Sequence, residues 1–157
     1  AQGECIALLC RLYENTEDEK YLNAAIIALK PFDVKVADGG VLTYFDGHPF
    51  YEEFPTRPSS FILNGFMFSL IGLYDLMYIS GNQDAQRLFY NGLDTLTNML
   101  PLYDDALTSR YDLGYFTAAP RRIGRNDYYH PIHVKLLQDL NSIKRNAVFE
   151  YFINRWK

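Results

Sequence analysis

Positive charge is scarce in this sequence: 15 Lys and Arg stand against 19 Asp and Glu, for a net charge of −4. Nucleic-acid binding without base recognition requires a basic surface that neutralises phosphates, so the charge balance argues against that class of partner. Charged residues of both signs make up only 22% of the 157 residues, and hydrophobic residues make up 48%. This composition excludes a disordered chain and predicts one domain with a substantial core.

Cysteine is also rare, with only Cys5 and Cys10 in the chain. The two lie on different faces of a predicted helix, so they are poorly placed to form a disulfide with each other. Two sulfurs alone do not make a metal motif either. The cysteines therefore predict neither a disulfide framework nor a metal site, and they leave the redox compartment open.

One hydrophobic run, residues 61–79, approaches the length of a membrane span. Asn64 and Asp75 interrupt it, and no basic flank follows. We therefore expect a buried helix here and no membrane span in this chain. Gly65 and Gly72 share one face of this helix, which predicts a close crossing with a neighbouring helix.

Helical periodicity runs through most of the chain. It predicts helices at 2–14, from about 19 to just before Pro31, at 61–79, 83–100, 131–141 and 146–156. Thr16 with Glu19 forms a capping box for the second helix, and Ser59 or Ser60 is expected to cap the third. Phe149, Phe152, Ile153 and Trp156 form the predicted buried face of the last helix.

Two stretches between the helices lack this period. Residues 36–54 read as a β-hairpin with a four-residue DGHP turn, and residues 102–130 read as loop. Repeated helical hairpins form either an α-solenoid or an α/α toroid. The pairs recur at about 60 residues rather than the ~34 of a tetratricopeptide repeat. The prediction is a mainly α fold, an incomplete α/α toroid of antiparallel helical hairpins with a small β-hairpin insertion.

The segment YEEFPTRPSSFILNGF, residues 51–66, holds the first candidate site residues. Adjacent residues on a strand point to opposite faces, so at most one of Glu52 and Glu53 faces a cleft, and a solvated strand edge is the alternative reading for the pair. Pro55 and Pro58 keep the segment extended. Asn64 lies in an apolar helix, where it either caps a backbone group or reaches a polar ligand.

A second cluster combines aromatic, basic and histidine side chains. Its members are Tyr111, Asp112, Arg121, Arg122, Arg125, Tyr128, Tyr129, His130 and His133. Arginines concentrated in an acidic chain suggest an anionic ligand, although solvated loop charges explain them equally well. The two histidines share a helix face, but no third ligand follows at a useful spacing, so zinc is disfavoured. The 13 tyrosines suit either a helical core or a sugar-binding surface.

These blocks, in order, resemble a known family. AQGECIALLCRLY, YEEFPTRPSSFILNGFMFSLIGLYDL, MLPLYD, RYDL and RNDYYHPIH are similar to the C-terminal domain of heparan sulfate/heparosan glucuronyl C5-epimerases, from Ala1 to Trp156. The resemblance implies a catalytic α/α-toroid domain, usually dimeric, that acts on an acidic polysaccharide without a metal or organic cofactor. It also implies N-terminal β-rich domains absent from this chain and, in an animal, a Golgi-lumenal location.

The resemblance further implies roles for individual residues. Glu53 matches the active-site glutamate, so its neighbour Glu52 is expected to face solvent. Tyr111 matches one catalytic tyrosine. The second tyrosine is Tyr128 or Tyr129, with Tyr128 favoured by the Asp-Tyr step. Substrate binding is expected from Asn64, Arg110, Arg122, Arg125 and His130. Together these residues would remove and return the C5 proton of glucuronate, which requires a base and an acid on opposite faces of the sugar ring.

Two positions depart from the family pattern. Phe54 replaces a tyrosine, and Gly114 replaces an arginine that would contact the substrate carboxylate. Two alternatives to the epimerase therefore stay open: a polysaccharide lyase acting on uronates, and a non-catalytic homologue that binds an acidic polysaccharide. A bare helical interaction repeat is a further alternative, which the hairpin and its paired glutamates disfavour.

Overall fold

The computed structural model describes residues 2–106, 108–120 and 122–157. Within these ranges the fold is mainly helical, with one two-stranded antiparallel sheet, as predicted. The helices are α1 (Gln2–Thr16), α2 (Glu19–Ile27), α3 (Leu63–Ser80), α4 (Gln83–Met99), α5 (Gly114–Thr117), α6 (His130–Ile143) and α7 (Ala147–Arg155), and the strands are β1 (Leu42–Phe45) and β2 (His48–Tyr51). Short 3-10 turns cover Lys30–Asp33, Val36–Asp38 and Leu100–Tyr103.

Helix α3 is apolar on all sides and lies at the centre of the fold. It contacts α1, α4 and α6, and ten of its 18 residues are buried. It is long and apolar enough to cross a membrane by length and composition, but most of it packs inside the protein, as a core helix does. The prediction of a buried helix over 61–79 is confirmed.

The crossing of α1 and α3 is very close. A Cβ atom on Gly72 would lie 2.1 Å from the Gly3 carbonyl oxygen, and one on Gly3 would lie 2.3 Å from the Ser69 Cα. Both neighbours are backbone atoms, so neither can rotate away. The predicted close crossing is thus confirmed for Gly72, whereas Gly65 contacts Glu53 rather than a helix.

The predicted helix caps were wrong. Asp18, not Thr16, caps α2 by accepting a hydrogen bond from the Lys20 amide at 3.1 Å. Ile62 occupies the cap position of α3, without a side-chain hydrogen bond. Ser59 and Ser60 are used elsewhere, because their hydroxyls contact Thr43 and Glu52 respectively.

The hairpin is present, but its turn is tighter than the four residues predicted. Phe45 pairs directly with His48, which leaves only Asp46 and Gly47 in the turn. Both have positive φ, +48° and +82°, as a two-residue type I′ turn requires. Within DGHP, the Asp-Gly pair was the stronger signal for a turn, because it is typical of two-residue hairpin loops. Pro49 belongs to β2.

The remaining helices follow the predicted pattern, except that α2 ends at Ile27 rather than just before Pro31. Helix α7 buries Phe149, Phe152 and Ile153, and Trp156, directly after it, is buried as expected. The stretch 102–130 is largely irregular, apart from the end of one 3-10 turn and α5. Cys10 is buried and Cys5 exposed, and neither forms a disulfide.

Candidate functional site

Glu52 is buried, contrary to the expectation that it faces solvent. Strand β2 ends at Tyr51, so strand alternation does not govern the two glutamates that follow. Only 3% of Glu52 is exposed, whereas Glu53 is partly exposed. The physical reason is that residues 60–61 lie over the glutamate and contact its carboxylate.

The Glu52 carboxylate holds the segment that leads into α3. Oε1 accepts a hydrogen bond from the Phe61 amide at 3.0 Å, and the Ser60 hydroxyl lies 3.5 Å from Oε2. Phe61 has a positive φ of +54°, a strained conformation for a side chain of this size. The Tyr103 hydroxyl donates to the Phe61 carbonyl at 2.7 Å. Glu52 therefore binds the amide of the strained Phe61, and Tyr103 binds its carbonyl.

Burial also changes the proton affinity of this carboxyl group. Loss of hydration raises the pKa of Glu52 from 4.5 to about 7, and the hydrogen bond from the Phe61 amide offsets only part of the rise. Burial likewise raises the pKa of Tyr103 well above its usual value. Glu52 is consequently a group that changes charge near neutral pH without reaching solvent.

Glu53 lies against the first turn of α3. A Cβ atom on Gly65 would lie 2.4 Å from the Glu53 Cβ and 2.5 Å from its Oε2, so only glycine allows this approach. The first turn of a helix carries partial positive charge from its amides, which favours a carboxylate there. Asn64, in the same turn, is 5% exposed, and its Oδ1 accepts no hydrogen bond within the described part of the chain.

Tyr111 is bound to the same turn through its backbone. Its carbonyl oxygen accepts a hydrogen bond from the Leu63 amide at 2.9 Å, and its amide donates to the Gly124 carbonyl. The Leu113 amide donates to the Ser60 carbonyl at 2.9 Å. Residues 111–113 therefore run along the segment that Glu52 holds, which brings Tyr111 to the beginning of α3.

Asp112 closes the loop that follows, a role that sequence reasoning missed. It is 2% exposed, and its carboxylate accepts hydrogen bonds from the amides of Gly114 (2.9 Å), Gly124 (3.2 Å) and Ile123. Three amide donors satisfy a buried carboxylate without a cation. The signal in the sequence was an aspartate two residues before a glycine, a common turn arrangement.

Tyr129 is the tyrosine that meets Tyr111. Their ring centroids are 4.5 Å apart, with an interplanar angle of 51°. The Tyr128 ring contacts the edge of Tyr129 at 5.2 Å, but Tyr128 is 75% exposed. On the other side, the Tyr129 ring stacks with His133 at 6.5 Å. The two tyrosines that the sequence left open thus lie in different surroundings. The Tyr129 ring contacts the Tyr111 ring, and Tyr128 lies on the surface.

His130 and His133 are held by Ser109, a residue that sequence reasoning did not single out. His130 Nδ1 accepts from the Ser109 amide at 2.9 Å, so its Nε2 donates to the Trp156 carbonyl at 3.0 Å. His133 is fully buried, and its Nδ1 lies 2.7 Å from the Ser109 hydroxyl. Burial lowers the pKa of His133 from 6.5 to about 3. Both His130 ring nitrogens are occupied, which leaves neither for a substrate.

The candidate arginines lie along the loop beside the tyrosines. Arg110 donates to Asp105 at 2.8 Å and Arg125 to Asp127 at 2.9 Å, while the backbones of the two arginines pair with each other. Arg122 lies over the Tyr115 ring, 5.4 Å from its centroid. Arg121 lies outside the described residues. The Phe116 ring, 69% exposed, lies 5.9 Å from the Arg110 guanidinium.

The predicted site residues therefore separate into three groups. Glu53, Asn64, Tyr111 and Tyr129 converge on the first turn of α3 and its immediate surroundings. Tyr128, Arg122 and Arg125 lie on the exposed loop, while Arg110 is half-buried beside it. His130 is held inside by protein contacts. Among the residues that the structure describes, no group of three or more His, Cys, Asp or Glu is placed to hold a metal ion.

Comparisons with known proteins give a consistent result. A family model described as the D-glucuronyl C5-epimerase C-terminus matches residues 1–157. A D-glucuronyl C5-epimerase of Caenorhabditis elegans is 42% identical over 170 residues, which cover 99% of this chain and 27% of that protein. An uncharacterized protein of Methanocaldococcus jannaschii is 29% identical over 160 residues, covering 99% of this chain and 50% of that protein. The chain thus spans about a quarter of the length of the first of these two relatives and half of the second.

Proposed function

Because the chain belongs to the D-glucuronyl C5-epimerase C-terminal family, we propose that it is the catalytic domain of a uronyl C5-epimerase. Its substrate is a heparosan- or heparan-type polysaccharide, in which it converts D-glucuronate to L-iduronate. The reaction removes the proton from C5 of the glucuronate ring and returns one from the opposite face. The proposal needs no metal or organic cofactor, since acid and base groups of the protein suffice.

The chemistry sets three requirements. A base must take the C5 proton, an acid must deliver a proton from the other side, and donors must stabilise the negative charge that develops on the substrate carboxylate. Tyr111 and Tyr129 are the proposed proton-transfer pair, with Glu53 as a third proton-transferring group. The amide of Asn64 and the loop arginines, Arg110, Arg122 and Arg125, are proposed to bind the anionic chain.

One observation carries this proposal: the Tyr111 and Tyr129 rings meet at 4.5 Å beside the helix turn that Glu53 contacts. Residues from three distant segments, 53, 111 and 129, thus come together where a buried amide oxygen of Asn64 still accepts no hydrogen bond in the described part of the chain. Asparagine oxygens in such surroundings usually have a partner, and a sugar hydroxyl supplies the missing donor. The same geometry favours Tyr129 over the exposed Tyr128 as the second tyrosine.

The test is exchange of the C5 proton of heparosan in heavy water, using the longest natural form of the protein that carries this chain. Deuterium at C5, together with iduronate, is the expected result. Tyr111→Phe and Tyr129→Phe should each reduce exchange by roughly 100-fold or more, because a positioned acid or base contributes about 10²–10⁴-fold. Tyr128→Phe is the matched control and should keep most of the activity.

The alternatives give different results in the same experiment. A lyase expels the 4-substituent after C5 deprotonation, and its unsaturated product absorbs in the ultraviolet. The non-catalytic homologue is favoured by the Phe54 and Gly114 departures, and it binds an acidic oligosaccharide without exchange or cleavage. Wild-type protein that binds heparosan but incorporates no deuterium at high concentration would reject the epimerase and favour this alternative.

The pairing of the helices supports the expected architecture of the domain. Short connections join α1 to α2, α3 to α4 and α6 to α7, and each of these pairs is in contact, which supports antiparallel hairpins of an incomplete α/α toroid. We infer that the whole chain is one such domain, preceded in the intact protein by β-rich domains. A homodimer, and the Golgi lumen in an animal, are part of the same proposal.

A further inference from the structure

A cavity of about 290 Å³ opens beside the β-hairpin, away from the tyrosine pair. Three segments line it: 35–37, 42–44 and 56–59. Its charged lining residues are Lys35 and Arg57, and none of the described residues that line it is acidic. In a chain with a net charge of −4, a cavity with only positive charge selects for anions.

The cavity wall is held in place by hydrogen bonds. The Arg57 guanidinium donates to the carbonyls of Val36 (3.2 Å) and Ala37, which fixes the cation against the neighbouring turn. The Thr43 and Ser59 hydroxyls lie 2.9 Å apart and join β1 to the segment before α3. A preformed wall of this kind loses little conformational entropy when a ligand binds.

The other lining groups suit a sugar ring. Tyr44 is 51% exposed, so an aromatic surface is available to the apolar face of a pyranose. Thr43, Thr56 and Ser59 supply hydroxyls that can exchange hydrogen bonds with sugar hydroxyls. Lys35 is exposed and can approach a carboxylate or a sulfate. The combination of cations, hydroxyls and an exposed ring matches an acidic sugar better than a purely apolar ligand.

The cavity is also close along the chain to Glu53, one of the proposed proton-transferring groups. Thr56 follows Glu53 by three residues, so their Cα atoms are at most about 11 Å apart. A polymer whose reacting ring contacts Glu53 can therefore reach the cavity with neighbouring rings of the same chain. We propose that this cavity is a second subsite, which binds an acidic sugar ring of the polymer at a distance from the reacting ring; this inference rests on the proposed function.

The test measures affinity for heparosan oligosaccharides of increasing length by titration calorimetry. In the wild type, affinity should rise once an oligosaccharide is long enough to occupy the cavity. Lys35→Gln should weaken binding of the long oligosaccharides by roughly twofold to fivefold, the range of an exposed charge pair, and leave the shortest unaffected. Lys30→Gln is the matched control, since Lys30 is exposed nearby but does not line the cavity.

A second variant and a second ligand sharpen the result. Arg57→Gln should add to the loss, and its thermal unfolding is measured in parallel because Arg57 also holds the 36–37 carbonyls. A sulfated oligosaccharide of the same length distinguishes the anion: a larger Lys35 effect there assigns sulfate, and an equal effect assigns carboxylate. Equal binding by the Lys35 and Lys30 variants at every length overturns the subsite.

The outcome is separable from that of the proposed function. If the wild type shows no C5 exchange but Lys35→Gln still weakens binding of long chains, the epimerase fails and the binding site stands. If exchange occurs and Lys35→Gln raises KM for long chains while kcat is unchanged, the epimerase activity and the second subsite are both supported. If exchange occurs and neither KM nor affinity depends on Lys35, the subsite alone fails.

Discussion

At the scale of single residues, the burial of Glu52 has a consequence for stability. The folded state binds a proton on this carboxyl more tightly than the unfolded chain, because its pKa rises from 4.5 to about 7 on folding. Its contribution is therefore complete below about pH 4.5 and is lost as the pH rises through 7. At roughly 1.4 kcal/mol per pH unit, the loss amounts to about 3 kcal/mol.

Glu52→Gln tests this effect, since an amide keeps an acceptor for the Phe61 amide but does not titrate near neutral pH. Between pH 4.5 and 7, the stability of the variant relative to the wild type should rise by about 3 kcal/mol. Urea unfolding at several pH values measures it. A constant difference between the two proteins across that range would contradict the buried, protonated carboxyl.

His133 has the opposite dependence. Its pKa falls from 6.5 to about 3 on folding, so its contribution is present above pH 6.5 and is lost as the pH falls toward 3. The full loss is about 5 kcal/mol at roughly 1.4 kcal/mol per pH unit. His133→Asn keeps a polar atom for Ser109 and should flatten the acid side of the stability curve. Urea unfolding between pH 3 and 7 measures this slope, and a variant that keeps the wild-type slope would contradict the buried, neutral imidazole.

Sequence reasoning could nominate the site residues but could not orient them. It proposed Glu53, Tyr111 and either Tyr128 or Tyr129 from their chemistry and their resemblance. The choice between the adjacent tyrosines depends on how the chain enters α6, which follows from the contacts of His130 with Ser109 and Trp156. Those contacts join residues 21 and 26 positions apart, and no local pattern reports them.

At the scale of elements, the α1–α3 crossing makes a strong prediction. Gly72→Ala places a methyl group 2.1 Å from a backbone oxygen of Gly3, so the helices must separate. We expect a cost of about 1–3 kcal/mol, even though alanine favours the helix. Gly92→Ala is the matched control, because its nearest neighbour is the terminal methyl of Leu70, which can rotate.

Urea unfolding of the two variants measures the difference. A Gly72→Ala protein as stable as the wild type, or more stable than Gly92→Ala, would contradict the close crossing. The same comparison applies to Gly3→Ala, whose methyl would meet the Ser69 backbone from the other side. Together the three variants separate helix propensity from packing at the interface.

Periodicity predicted the helices and the hairpin because each depends on local side-chain patterns. Helix α3 was expected over 61–79 and spans Leu63–Ser80. The cap of α3 and the side of Glu52 were wrong for a common reason, because tertiary contacts decided both, whereas α2 has a different local cap, Asp18. Ser60 was available to cap α3 locally, but the buried carboxylate of Glu52 binds it instead. The toroid stays a prediction, since it concerns how the hairpins close around an axis.

At the scale of the whole molecule, the last residues hold the loop of the proposed site. The Trp156 indole donates to Asp104 at 3.0 Å, Arg155 forms an ion pair with the same carboxylate at 2.8 Å, and the Trp156 carbonyl accepts from His130. These contacts span 52, 51 and 26 positions of the sequence. Arg155 and Trp156 therefore hold both ends of the loop that carries Tyr111 and Tyr129.

Deletion of Trp156 and Lys157 should destabilise the domain by about 3–5 kcal/mol, the cost of losing a large buried ring. It should also increase hydrogen exchange throughout 104–130, because the loop loses its support. Trp156→Phe keeps the carbonyl and a ring but removes the indole donor, so we expect a smaller loss and little change near His130. Unchanged exchange in 104–130 after the deletion would contradict this role.

Trp156 is the single tryptophan of the sequence, and it is 3% exposed. Its fluorescence is consequently an unambiguous optical signal from one position, with an emission maximum that shifts to longer wavelength when water enters. Because the indole is bound to the loop at Asp104, a ligand that rearranges the loop changes this emission without any label. Saccharide binding to the domain can then be followed in real time by the intrinsic fluorescence of Trp156.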